Sequence, residues 1–151
     1  MAIDKNFVEE YLANTKYIVL ATVDGENAPA LRTLGAFGVD GYSIYFSTGE
    51  GTIKVKQIEH NSNVSVFFQH ENQEVASFIN VTIKGKAAKV TGEGEITKAI
   101  EVIAKKNPRF KERIKKNGLG NNIIFRVDPS ELKILDFNKG QGASGIEVIL
   151  P

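Results

Sequence analysis

Cysteine is absent from this chain. That one absence removes disulfides, thiolate metal sites and cysteine nucleophiles together. Histidine is nearly as scarce: His60 and His70 are the whole complement. Two isolated imidazoles do not suggest a metal centre, and each reads as an ordinary surface or loop residue. An excess of charge of one sign is also missing. Lysine and arginine total 19 against 18 acids, a formal net charge of +1, so no global field favours nucleic acid or an anionic membrane. No apolar run approaches the roughly 20 residues that a membrane-spanning helix needs. The opening residues M-A-I-D-K-N-F-V-E-E carry acids where a secretory signal would be apolar. The expectation is a soluble cytoplasmic protein with no metal, no nucleic-acid partner and no membrane partner.

What remains is ordinary globular material. With 151 residues, 42% hydrophobic and 25% charged, the chain reads as one domain over residues 1–151, long enough to bury a single core without staples. A short helix over 4–14 places Phe7, Val8, Tyr11 and Leu12 on one face. Strands follow over 17–23, 28–39 and 42–48, joined by the turn pairs Asp24-Gly25 and Asp40-Gly41, as an antiparallel meander. Gly35 and Gly38 weaken the second strand and mark a bulge or a close approach. A helix begins at Thr52, and strands over 63–69 and 77–90 come next, with irregular alternation near Gly85 suggesting a bulge or barrel corner. The helix over 95–106 has a stripe of Ile96, Ala99, Ile100 and Ile103, and a basic helix from Pro108 closes at Asn117-Gly118. Strands over 122–127 and 131–138 flank the turn Asp128-Pro129-Ser130. A glycine-rich tail ends in an apolar stretch at 146–150. Many strands, short turns and no βαβ repetition predict a mainly β fold, an antiparallel barrel with a few helices.

Chemistry concentrates between Pro29 and Phe68. A strand ends at Ser47-Thr48, the loop Gly49-Glu50-Gly51 follows, and Thr52 stands where a helix N-cap belongs. The first amides of such a helix have no intrahelical acceptor and form a ready anion site. Lys54 brings a full charge to the same place. Arg32 sits in an otherwise apolar strand, where an unpaired guanidinium is costly. Arg32, Thr48, Thr52 and Lys54 therefore compose a candidate phosphate clamp. On local pattern alone, such a loop is more often a turn and a cap with no ligand.

The ordered succession is more specific than its parts. Arg32, Ser47-Thr48, Thr52-Ile53-Lys54, Gln57-Ile58, Asn61 and the strand 64–68 together resemble the pyridoxamine 5′-phosphate oxidase-like flavoproteins, over roughly residues 17–91. Ser62 stands where those proteins usually have proline. The resemblance implies the FMN-binding split β-barrel, FMN as cofactor, and a homodimer with its two FMN sites at the subunit interface. It implies that Arg32, Thr33 and Leu34 contribute to phosphate and ring contacts, that Ser47 and Thr48 line the ring and ribityl chain, and that Asn80 stands where classical oxidases hold a glutamine near the flavin. Those oxidases bind substrate through C-terminal Arg and His residues. Here no histidine follows His70 and no arginine follows Arg126, which argues against pyridoxamine phosphate as substrate. The reading is an FMN-dependent oxidoreductase or flavin reductase-like protein acting on an unidentified small molecule. Its alternatives are a non-catalytic, stress-related relative holding FMN, haem or a deazaflavin, and a barrel without cofactor acting as an interaction module. No residue is singled out as catalytic.

Several motifs are declined. Residues 140–145 match G-x-G-x-x-G, but too little chain follows to supply a helix for a pyrophosphate. Asn80-Val81-Thr82 is a sequon in a chain with no sign of secretion. Gly85-Lys86 lacks the spacing of a P-loop. The basic helix from Pro108 reads as a solvated face.

Overall fold

The computed structural model describes residues 4–140 and 142–151. In chain order the elements are α1 (Lys5–Ala13), β1 (Ile18–Val23), β2 (Pro29–Leu34), β3 (Phe37–Asp40), β4 (Ser43–Gly49), α2 (Ile53–His60), β5 (Asn63–Gln69), β6 (Ile79–Lys89), α3 (Glu93–Lys106), α4 (Pro108–Asn117), β7 (Asn122–Asp136) and β8 (Ile146–Ile149). The strands form one antiparallel sheet in the order β2-β1-β5-β6-β7-β4-β3, and β8 pairs with β7 beside that path. The two ends of the path, β2 and β3, do not pair with each other. The sheet is therefore a curled, split barrel with four helices, as the sequence predicts.

Alternation along the strands fills the inside of the curl. Ile18 and Leu20 of β1, Val66 and Phe68 of β5, Val81 and Ile83 of β6, and Ile44 and Phe46 of β4 all point inward and are buried. A second cluster lies on the outside, where Tyr45, Val90 and Ile124 pack against Ala99 and Ile103 of α3 and Phe110 of α4. The middle of β4 is thus buried on both faces, which is why its sequence reads as a continuous apolar run rather than an alternating one. Arg126 on β7 fastens the start of α3 by an ion pair with Glu95 and is braced by Asp128 at 2.6 Å. The α4 cations Arg109, Lys111, Arg113, Lys115 and Lys116 are all exposed.

Three expectations need correction. The strand expected over 28–39 is broken at Gly35-Ala36 into β2 and β3, which go to opposite ends of the sheet. The meander is accordingly two hairpins, β1-β2 and β3-β4. The turn expected at Asp128-Pro129-Ser130 is instead absorbed into one long strand, β7. Pro129 stands opposite Gly85, where the β6-β7 register shifts, so its missing donor falls at an irregularity that tolerates it. That shift lies where the alternation around Gly85 had suggested it. Phe7 leaves the buried face of α1 and is 42% exposed, while Val8, Tyr11 and Leu12 are buried. The apolar tail packs on its own sheet as β8. The declined glycine motif includes position 141, which lies outside the described residues; its last four residues form a short 3₁₀ turn, Gly142–Gly145, that leads into β8.

Candidate functional site

Arg32 takes the inward parity of β2, in line with Leu34, whereas Leu31 on the outward parity is 69% exposed. Its guanidinium is fixed by neutral acceptors. Nη1 donates to Thr22 Oγ1 at 2.8 Å, Leu20 O at 3.2 Å and Ala30 O at 3.3 Å. Nη2 donates to Gln57 Oε1 at 2.9 Å. Thr22, 1% exposed on β1, donates its own proton to the same Gln57 oxygen at 2.6 Å. Of the five N–H donors a guanidinium carries, Nε and one hydrogen on Nη2 have no protein acceptor among the described residues.

Lys54 comes from the first turn of α2. Nζ donates to Thr48 Oγ1 at 2.8 Å, which leaves two of its three hydrogens without an acceptor among the described residues. Thr48 and Thr52 hydroxyls lie 3.4 Å apart. Thr52 occupies the N-cap position, as expected, but its hydroxyl turns back to Gly49 O at 2.9 Å and caps no α2 amide. Burial, and then the positive charge of Arg32, holds the Lys54 ammonium below the ordinary lysine value. Burial also lowers Arg32. Neither cation has a carboxylate partner among the described residues. Two partly desolvated cations that repel each other thus carry four N–H donors with no acceptor among the described residues.

The helix that carries this site also explains its position. Through Lys54, α2 touches the end of β4; one turn later, through Gln57, it touches β1 and β2. Lys54 and Gln57 are three residues apart and share one helix face, while Val55 and Ile58 bury the neighbouring one. α2 therefore spans the split between the two ends of the sheet.

Of the residues singled out in the sequence, Arg32, Thr48, Thr52 and Lys54 come together around α2. The other four make no hydrogen bond to that group. Thr33 is exposed on the outer face of β2, opposite Val19. Leu34 is buried in the core. Ser47 takes the parity of Tyr45, on the helix side of β4 and away from Thr48, and its buried Oγ has no hydrogen-bond partner. Asn80 lies on the outer face of β6, three strands from β2, where its amide donates to Gln69 Oε1 at 3.4 Å. Thr22 and Gln57 were missed as members of the site. Gln57 was visible only as part of a motif, whereas the signal at Thr22 was a polar residue at core parity beside Ile18 and Leu20. A recess of about 390 Å³ bounded by Ala21, Val23, Pro29, Asn63, Ser65 and Lys84 lies at the Pro29 end of the strands and meets the clamp only through Thr22.

A family model described as pyridoxamine 5′-phosphate oxidase matches residues 4–136. The chain belongs to that family. Solved structures with the same fold include three distant ones. A candidate pyridoxamine 5′-phosphate oxidase from Listeria innocua superposes with a TM-score of 0.71 at 20% identity, over 87% of this chain and 97% of that one. A haem-binding protein from Mycobacterium smegmatis gives 0.78 at 15% identity, over 99% of this chain, which spans 59% of that protein. A protein of Bacteroides thetaiotaomicron VPI-5482 named for 5-nitroimidazole antibiotic resistance gives 0.73 at 16%, over 88% and 84%. At these identities the pyridoxamine 5′-phosphate oxidase-like family shares its split barrel with proteins named for different ligands. No curated protein matches the chain as a relative. No described helix is long and apolar enough to cross a membrane, and no described cluster of His, Asp and Glu could hold a metal ion.

Proposed function

We propose that this chain binds FMN and acts, as a homodimer, as an FMN-dependent oxidoreductase on a small molecule. One observation carries the reading: the unneutralised pair Arg32 and Lys54, with four N–H donors left over. A phosphomonoester dianion supplies three terminal oxygens to meet them, and Thr48 and Thr52 hydroxyls border the same space. Nε and Nη2 of Arg32 match two of those oxygens side by side. The flavin, when bound, supplies hydride and electron transfer; this chain supplies the anchor and the orientation. Leu34, on the inward parity of Arg32, stays with the ring end of the cofactor in this proposal, whereas Thr33 and Ser47 face away from the clamp and make none of its contacts.

Within one chain Asn80 sits across the sheet from the clamp and on the opposite face, so the flavin contact that the resemblance implies for it belongs, in this proposal, to a flavin held by the second copy. That face offers exposed Leu31 and Val148, with Val19 and Phe67 half-buried between them.

The haem alternative finds little support at the imidazoles. His70 is stacked on Tyr11 with ring centroids 3.7 Å apart, and its Nε2 lies 2.9 Å from Tyr11 O. His60 is exposed in the last turn of α2. The deciding experiment is purification followed by absorbance and release of the bound chromophore. FMN in the released fraction supports the proposal, and bleaching of the bound flavin by NAD(P)H separates an enzyme from a flavin carrier. A colourless protein that does not take up added FMN refutes both.

A further inference from the structure

A guanidinium taken even partly out of water is commonly matched by a carboxylate, because an unpaired charge there is costly. Half-buried Arg32 has none among the described residues. Its acceptors are two backbone carbonyls, the Thr22 hydroxyl and the Gln57 amide oxygen. The backbone carbonyls are fixed by the sheet. Position 57 is where a carboxylate with the same reach would fit. It would accept the same two protons from Arg32 and Thr22, and it would lie on the α2 face that carries Lys54. For the folded protein alone, glutamate would be the better partner.

We propose that Gln57 is a specificity-determining residue: its amide orients the Arg32 guanidinium without cancelling its charge, so that the site keeps both positive charges for a doubly charged phosphate. This rests on the phosphate-site reading above and deepens it. A guanidinium only donates, so Gln57 Oε1 must face Arg32, and the amide carries no net charge to offset it. Glutamate there would pair with Arg32 and Lys54 together and leave a site of one net positive charge. Such a site would hold a dianion weakly while remaining well folded.

The proposal predicts an unusual ranking, read from three proteins: wild type, Gln57→Glu and Gln57→Leu. For each, the melting temperature without ligand is recorded, with dissociation constants for inorganic phosphate, FMN and riboflavin. Gln57→Glu should melt at or above wild type yet lose about tenfold or more in affinity for phosphate and FMN, with riboflavin unchanged. Gln57→Leu should melt lower, because Thr22 and Arg32 lose an acceptor, but should bind phosphate better than Gln57→Glu does. A merely structural glutamine gives the reverse order, with Gln57→Glu binding as wild type does and Gln57→Leu worst; that order overturns the proposal. Wild-type protein that binds phosphate but not FMN defeats the flavin reading, and the phosphate ranking still decides Gln57. Wild-type protein that binds neither defeats both.

Discussion

Arg32 and Lys54 do opposite things to the empty and the loaded protein. A base whose pKa is lowered by folding binds fewer protons than the unfolded chain, between its folded value and the ordinary lysine value. Across that window the contribution of Lys54 to stability rises with pH. The same deprotonation removes a charge from the proposed anion site, so FMN affinity should fall as stability rises. Titrating FMN at increasing alkaline pH should show this decline, and Lys54→Arg, which stays charged, should flatten it. Arg32→Ala and Lys54→Ala should each weaken FMN by about 1.5–3 kcal/mol, the range for hydrogen bonds to charged groups. Riboflavin, lacking the phosphate, should be indifferent to both. Equal losses for FMN and riboflavin would remove the phosphate assignment.

Among the elements, β3 and α3 are the pair most sensitive to a small change. A Cβ on Gly38 would run into the Val102 carbonyl and come within 2.9 Å of Ile103 Cα. Gly38→Ala should therefore destabilise by about 1–3 kcal/mol, the usual range for overpacking, with FMN affinity per folded molecule unchanged. Thermal melting and a flavin titration check the two halves separately. The same glycine shows where the sequence was legible. Gly38 was readable as a site of close approach, but the element that approaches it lies more than sixty residues later, and nothing local names it. Period and turn chemistry placed nearly every strand and helix. They failed at Gly35-Ala36 and at Pro129, where pairing partners decide whether a chain breaks or runs on. In the site, Arg32, Thr48, Thr52 and Lys54 were legible because a motif orders them. Thr22 was not, because its role appears only when β1 lies beside β2 and beneath α2.

At the scale of the whole molecule, the outer face of the β2-β1-β5-β6 half carries the dimer proposal. Leu31 is 69% exposed on that face, beside the inward-pointing Arg32. Leu31→Asp should leave the monomer folded, since the side chain supports nothing in its own core. Size-exclusion chromatography with light scattering should then show the mass falling from about twice the chain to once. A wild-type protein that runs as a monomer with FMN bound would instead confine the cofactor to one chain and leave Asn80 without its assigned role.

The position of α2 across the split has a mechanical corollary. Two successive turns of α2 hold strands near opposite ends of the sheet, β4 through Lys54 and β1 and β2 through Gln57. Any anion bridging Lys54 and Arg32 completes that grip with bonds the polypeptide does not itself make. Occupancy should therefore tighten that hold, slowing amide hydrogen exchange in β2, β4 and α2 beyond what ligand shielding of nearby amides explains, and raising the melting temperature with cofactor concentration. A ligand held there would double as the missing seam.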